Sequence, residues 1–339
     1  MVMVLDKEKL DQKQLEKVAA AARLLKEGGI VAFPTETVYG LGADATNTDA
    51  VRKVYEIKQR PTDHPLIVHI GHITQLDYWA QEIPEAAWLL ARHFWPGPLT
   101  LILRRSPHIP DCVTGGQDTV GIRLPAHPVA LKLLNMIGPN KAIAAPSANL
   151  YGRISPTTAA HVSTTLNNKI DMILDGGACK VGLESTIISF EHGTVFLLRP
   201  GGIPVSAIES VLNKPVISHK SKTPVTRVPG ALPSHYAPTT PLQLFHLPEL
   251  IQTANKLAAQ NLHTVVITWS EINSSQLSAP NIQHVRMSRD PVHYGQHLYA
   301  LLHRYDQAPY NYILMETPPE LPAWLAISDR LQRASYAHL

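Results

Sequence analysis

The stretch "YEIKQRPTDHPLIVHI", residues 55–70, sets Lys58 and Arg60 where an apolar helical repeat runs out, and places His64 and His69 on either side of a buried-looking run. Two permanent cations beside two imidazoles suit the binding of phosphate or carboxylate. Each also has a plainer reading. Cations at a helix C-terminus relieve its dipole, and His69, alternating with Val68 and Ile70, also reads as a core histidine. Arg60 precedes Pro61, which pushes its backbone toward an extended conformation and presents the side chain from a loop.

Other polar residues fall at the ends of apolar runs, where α/β folds place ligands. In "FPTETVYGLG" Pro34 halts a strand, Thr35, Glu36 and Thr37 follow, and Gly40 and Gly42 let backbone come close. Arg123 interrupts the strand "TVGIRLP", and a buried guanidinium needs a partner. A bidentate ligand carboxylate or phosphate fits it, and a structural Asp or Glu serves equally well. In "AAPSANLYGRISP", Ala144 to Ala148 are small, Ser147 and Asn149 offer donors and acceptors, and Ser155 before Pro156 reads as a helix start that favours an anion. Ser185 opens one strand and Arg199 ends another. His235-Tyr236 in "PGALPSHYAP" supplies a ring able to stack on a base.

Several common chemistries have no matching motif. There is no G-x-x-x-x-G-K-[ST] loop, H-E-x-x-H, C-x-x-C or G-x-S-x-G, and "GLGADA" gives only part of a dinucleotide fingerprint. Cys112 and Cys179 are the only cysteines and lie far apart, which gives neither a metal spacing nor a disulfide framework. A reducing, cytoplasmic location is the expectation. The charged first residues do not read as a signal peptide, and no apolar run approaches the ~18 residues that span a bilayer. Net charge is only +3, with the excess in residues 205–240, where four basic residues meet one acidic. A dedicated nucleic-acid binder is usually basic across a whole domain.

The elements that must carry these residues follow from periodicity. An amphipathic helix is expected over 10–27, stopped by Gly28-Gly29, then a strand at "IVAFPT". Helices near 48–58, 84–94, 128–137 and 156–166 alternate with strands at 66–70, 99–103, 120–124, 142–145, 171–174, 185–190 and 194–199. The pattern predicts an α/β domain with one mixed, twisted sheet. Ser206 with Glu209 reads as a capping box for one short helix, but the eight prolines from Pro200 to Pro241 read as a stiff, extended connector. From Leu242 to the end, strand, helix, strand, strand, helix, strand, helix gives a small Rossmann-like α/β domain. The expected division is 1–204, 205–240 and 241–339.

With these motifs in order, the chain resembles the YrdC-type threonylcarbamoyl-AMP synthases in their longer, two-domain form. The resemblance rests on "FPTETVYGLGADA", "KQRP" before "HPLIVHI", "FWPGPLTLIL", "VGIRLPAHP", "APSANLYGRISPT", "DGGACKVGLESTI", "LLRPGGI" and "PGALPSHYAP". It implies an N-terminal domain with a concave, positively lined cavity. It implies an enzyme, a nucleotidyltransferase that turns L-threonine, bicarbonate and ATP into threonylcarbamoyl-AMP and pyrophosphate, the first step of t6A formation at the adenosine beside the anticodon of tRNAs that read ANN codons. Mg2+ would accompany the phosphates, with no organic cofactor and no protein metal ligands. Thr37, His69, Arg123, Ala145 and Ser185 would line the threonine site, Arg123 holding the carboxylate and Ala145 using its backbone. Arg60, His64, Thr119, Ser147, Asn149, Ser155, Arg199 and Tyr236 would serve the nucleotide, with Lys58 beside its phosphates and Ser234 to Tyr236 closing as a lid. Lys58 and Arg60 would be the catalytic cations. The further partners would be tRNA or the threonylcarbamoyl-transferase complex, with no membrane.

One position departs from the resemblance: the family usually has Asn where this sequence has His64, and imidazole, unlike Asn, titrates near neutral pH. Two rival readings stand beside the synthase. One is a maturation module that binds double-stranded RNA or tRNA, which needs Lys and Arg spread over a surface and strong salt dependence. The other is carbamoyl transfer from carbamoyl phosphate, whose known proteins carry zinc-finger and acylphosphatase-like regions for which this chain has neither the cysteines nor the length.

Overall fold

Helix α1 (Gln12–Lys26) starts on a reciprocal cap: the Asp11 side chain accepts from the Gln14 N–H, and the Gln14 side chain accepts from the Asp11 N–H. It ends before Gly28, whose φ of +82° is a left-handed conformation that glycine adopts without strain. The computed structural model describes residues 10–218, 226–230, 235–307 and 309–336. These described residues divide into two compact units, one drawn from the span 1–151 and 156–231, the other from 152–155 and 232–339.

In chain order the first unit continues with β1 (Val31–Phe33), β2 (Gly40–Asp44), α2 (Thr48–Lys58), β3 (Ile67–His69), α3 (Leu76–Trp79), β4 (Ala80–Gln81), α4 (Glu85–Phe94) and β5 (Leu99–Arg105). Then come α5 (Asp111–Thr114), β6 (Thr119–Arg123), α6 (Pro128–Ile137), β7 (Ile143–Ala144), α7 (Ala159–Leu166), β8 (Met172–Ile173), β9 (Thr186–Glu191), β10 (Thr194–Arg199), α8 (Val205–Leu212) and β11 (Val216–Ser218). One mixed sheet joins them in the order β11-β10-β9-β5-β6-β3-β7-β2-β1-β8, with β4 also paired to β5.

Register sorts the residues of the central strands onto two faces. Val68 pairs with Ile122 and Ala144, and Leu101 with Ile122 and Ile188. These belong to the main core, together with Val51, Val54 and Tyr55 of α2, Leu90 of α4 and Ile208 of α8. The alternate residues face the other way. There His69 pairs with Arg123, Ile67 and Ile102 each pair with Gly121, and Thr100 pairs with Ile187. This second face holds the polar residues, with α1 and α6 packed farther along it on Val31, Phe33, Ile143 and Ala145.

Three local expectations are corrected. "GLGAD" is a buried strand, β2, and not a loop that admits a ligand. A Cβ on Gly42 would stand 2.7 Å from Ile143 Cγ2 and 2.9 Å from Phe33 Cε1, so sheet packing alone excludes a side chain there. Ser155-Pro156 does not start a helix: α7 begins at Ala159, capped by Thr158, whose side chain accepts from the His161 N–H. No box forms at Ser206, because Pro204 is the N-cap of α8, and Glu209 Oε1 accepts from the Val216 N–H instead. That bond ties α8 to β11, which runs parallel to β10, so this part of the proline-rich stretch is not a connector but a helix and the edge strand of the first sheet.

The second unit is α/β with β12 (Leu242–Phe245), α9 (Leu247–Ala259), β13 (Thr264–Thr268), β14 (Ile282–Arg286), α10 (Pro291–Tyr305), β15 (Tyr312–Glu316) and α11 (Leu325–Tyr336). Its four strands are all parallel, in the order β12-β15-β13-β14, and Leu250, Ala254, Val266 and Leu314 form one of its cores. Among the described residues, no helix is long and apolar enough to cross a membrane.

Candidate functional site

Arg123 is the last residue of β6, and its Nη2 donates to Glu36 Oε1 at 2.6 Å while Nε donates to the Gly97 carbonyl at 3.3 Å. Glu36 uses its other oxygen to accept from the Ala126 N–H at 3.0 Å. Both side chains are almost wholly buried. Of the partners left open by the sequence, the acidic side chain within the chain is the one in place, and it comes from the loop after β1. Thr37 is buried in the same loop, its hydroxyl 2.8 Å from that of Thr35.

His69 neighbours Arg123 across β3 and β6, edge-on to Phe33, and its Nδ1 is buried without a hydrogen-bond partner. Such a nitrogen costs free energy unless something satisfies it, and a bound polar group would. Burial, with the Arg123 charge adding to it, pushes the His69 pKa down to about 3. The folded state therefore refuses a proton that the unfolded chain accepts below pH ~6.5, and stability falls as pH drops from there toward the folded value. The expected slope from this one group is about 1.4 kcal/mol per pH unit. Urea midpoints across pH 7 to 4 should fall more shallowly in His69→Leu, and parallel curves would show that His69 carries no such term.

A second cluster joins the end of α2 to the loop after β7. Lys58 is buried, and its Nζ donates to the carbonyls of Ser147, at 2.6 Å, and Asn149. Burial, then the nearby Arg60 charge, sets its pKa well below the usual lysine value. Arg60 donates from Nη2 to the Pro65 carbonyl at 2.9 Å and from Nε to the His64 carbonyl at 3.3 Å. His64 Nδ1 lies 2.8 Å from the Tyr151 hydroxyl, and the Asn149 amide donates to the Leu150 carbonyl. The Ala145 N–H is already committed to the Ile67 carbonyl, so a ligand cannot use that group.

A third cluster stands at β9 and β10. Arg199 donates from Nε and Nη2 to the Ser185 carbonyl, from Nη2 also to the Ser185 hydroxyl, and from Nη1 to the Pro229 carbonyl. The Ser185 hydroxyl lies 2.7 Å from that of Thr100. Thr119 lines a narrow cleft with Pro65, Ile67, Gly121, Arg227 and Pro229. The shared face of β5, β6 and β3 links the clusters, with Ser185 and Thr100 on one side and Arg123 and His69 on the other.

Ser155 and Tyr236 fall in the second unit. There the Ser155 carbonyl is 3.1 Å from His303 Nε2, and the buried Tyr236 ring lies under the Arg330 guanidinium, with Tyr299 stacked nearby. Ser234, read as part of a lid, lies outside the described residues.

Glu36, Thr100 and Tyr151 were not assigned from the sequence. Thr100 had a usable signal, as the one polar residue of "LTLIL" on the polar face; Tyr151 had none. Cys179 is no nucleophile here, because burial, reinforced by the Glu36 charge, pushes its thiol up to about 12. What remains is a set of buried cations and small polar groups, able to hold and neutralise anions.

The comparisons agree with one another. Residues 23–201 match a family model described as telomere recombination, grouping Sua5, YciO and YrdC, and residues 203–335 match that of the threonylcarbamoyl-AMP synthase C-terminal domain. The chain is 39% identical to the threonylcarbamoyl-AMP synthase of Pyrococcus abyssi, over 94% of each chain. It is 43% identical to that of Bacillus subtilis, over 94% of this chain and 93% of the relative. The crystal structure of P. abyssi Sua5 complexed with L-threonine superposes with a TM-score of 0.86 at 37% identity, covering 97% of this chain and 96% of that one. A double alanine variant of the same protein gives 0.87 at 36% identity, covering 96% and 94%. With both of its domains matched and nearly its whole length aligned, the chain belongs to the threonylcarbamoyl-AMP synthase family.

Proposed function

We propose that the protein condenses L-threonine, bicarbonate and ATP into L-threonylcarbamoyl-AMP and pyrophosphate, the first step of t6A formation in tRNA. The observation that carries this reading is the full-length similarity to proteins named for that activity, one of which has been solved with L-threonine. The threonine amine takes up the bicarbonate carbon with loss of water to give a carbamate. A carbamate oxygen then attacks the α-phosphorus, and pyrophosphate leaves with the electron pair of the broken P–O bond. No protein nucleophile is needed, and the work is positioning and charge neutralisation.

Within the first unit the roles divide by cluster. Arg123 takes the threonine carboxylate, since its contacts to Glu36 and Gly97 use only Nη2 and Nε of a five-donor fork. His69, Thr37 and Ser185 surround the amino acid, with Ala145 offering its backbone through the carbonyl, since its N–H is held by the Ile67 carbonyl. Arg60, His64, Thr119, Ser147, Asn149 and Arg199 serve the nucleotide, and Lys58 its phosphates. Lys58 and Arg199 now donate to backbone carbonyls, which a triphosphate would replace as acceptors. ATP enters as its Mg2+ complex. The product then passes to a threonylcarbamoyl transferase acting on tRNA. The RNA-binding alternative is disfavoured because Lys58, Arg60, Arg123 and Arg199 are buried, whereas duplex binding uses exposed cations.

The test is pyrophosphate release from ATP by the purified protein. Release should require both threonine and bicarbonate, and equal release without threonine would sink the assignment.

A further inference from the structure

Tyr151 touches three members of the Lys58–His64 stretch at once. Its N–H donates to the Lys58 carbonyl at 2.8 Å, its ring lies 5.5 Å from the Arg60 guanidinium carbon, and its hydroxyl is 2.8 Å from His64 Nδ1. The His64 and Tyr151 rings meet edge to face, with centroids 5.5 Å apart. The loop that carries His64 is fixed from behind by Tyr55, whose hydroxyl lies 3.0 Å from the His64 carbonyl and 2.8 Å from the Cys112 carbonyl.

We propose that Tyr151, locked by His64, is a positioning residue that orients the Arg60 guanidinium for the nucleotide. This rests on the synthase reading given above. A guanidinium on a flexible stem must be fixed before it can serve as a rigid fork. The Pro65 and His64 carbonyls hold two of its N–H edges, and the Tyr151 ring lies against the guanidinium. The ring is held in turn at both ends, by its own backbone on Lys58 and by its hydroxyl on His64. Removing the hydroxyl keeps the wall but lets it turn.

The lock requires a neutral imidazole with Nδ1 as acceptor and a phenol that keeps its proton. The groups facing His64 are Arg60, Asp63, Arg227, Tyr55 and Tyr151. Burial, then the Arg60 charge, lowers the His64 pKa, with Arg227 acting in the same direction and Asp63 against it. Burial raises the Tyr151 phenol. In the lock the hydroxyl donates to Nδ1, and the imidazole proton then sits on Nε2, the nitrogen 4.0 Å from Asp63 Oδ1.

The experiment compares the full-length protein with Tyr151→Phe, alone and in a His64→Leu background. ATP affinity is read by calorimetry and, with threonine present, through KM. Loss of one orienting hydrogen bond should weaken ATP binding roughly 3- to 10-fold and leave the threonine KM within about twofold. In the His64→Leu background, Tyr151→Phe should then cost less than about twofold, because the lock is already gone. Unchanged ATP affinity, equal shifts for both substrates, or a full effect without His64 would each overturn the proposal. The two readings fail separately. A protein that binds ATP but releases no pyrophosphate in response to threonine loses the synthase assignment, while the ATP affinity of Tyr151→Phe still decides the lock; no ATP binding at all overturns both.

Discussion

Arg123→Ala should abolish threonine-dependent pyrophosphate release and also lower the unfolding midpoint, and the two expected effects have different origins. In the folded protein Arg123 neutralises Glu36 in a site where both side chains are nearly inaccessible. Deleting one partner of a buried pair leaves the other charge uncompensated, which costs about 3–5 kcal/mol. Activity loss in the single variant therefore does not separate a missing substrate contact from a damaged fold. The double variant Arg123→Ala with Glu36→Gln separates them. Without the carboxylate no buried charge is left unpaired, so the thermal midpoint should recover part of the loss, the Gly97 carbonyl still lacking its donor, while the amide oxygen introduced in place of the carboxylate can still accept from the Ala126 N–H. Under the proposed role of Arg123, activity should stay absent, because no guanidinium remains for the threonine carboxylate. If the double variant regains turnover, Arg123 serves only to pair Glu36, and the threonine carboxylate must be held elsewhere.

This pair also shows what could and could not be read from the chain. A lone Arg in an apolar strand announces that it needs a partner, but the choice among partners depends on which loop the sheet order brings alongside. Glu36 and Arg123 are 87 residues apart and meet only because β1 and β2 join the sheet through β7 beside β3 and β6. Helices and strands with strong period were legible, as α2 and β3 illustrate. Where local chemistry competed with tertiary packing, the reading failed. Gly40 and Gly42 looked like ligand-facing glycines, yet the bulk of Phe33 and Ile143 explains Gly42. Ser155-Pro156 offered helix-start chemistry, but the turn is completed three residues later at Thr158. β11 was hidden because three residues of modest pattern become a strand only when β10 offers its edge and Glu209 holds Val216 in place. Tyr151 carried no signal at all, since its meaning lies in the fold of a different loop.

Lys58→Met has the second large expected effect, with turnover falling at least ~100-fold, the usual scale for losing one preorganised charge at a reacting phosphate. The structure gives the reason for choosing Met. It keeps most of the apolar stem along α2 and removes only the ammonium group, which now ties the Ser147 and Asn149 carbonyls together. Those carbonyls lose their donor, at about 1–3 kcal/mol for each buried group left unsatisfied. Against that, a charge that burial disfavours is also removed, so the net change in stability is smaller than the change in rate. The pH dependence supplies a control. The folded lysine has a pKa well below that of the unfolded chain, so the unfolded state binds its proton more tightly. Wild-type stability relative to Lys58→Met should therefore rise as pH climbs from the folded value toward about 10.4, and fall along the same path as pH drops, levelling off below the folded value. Lys58→Arg should not rescue, because a planar fork does not replace a compact ammonium that donates to two carbonyls at once. Turnover in Lys58→Met within about tenfold of wild type, with the threonine KM unchanged, would remove Lys58 from the phosphates and leave it the narrower task of holding the Ser147–Asn149 loop.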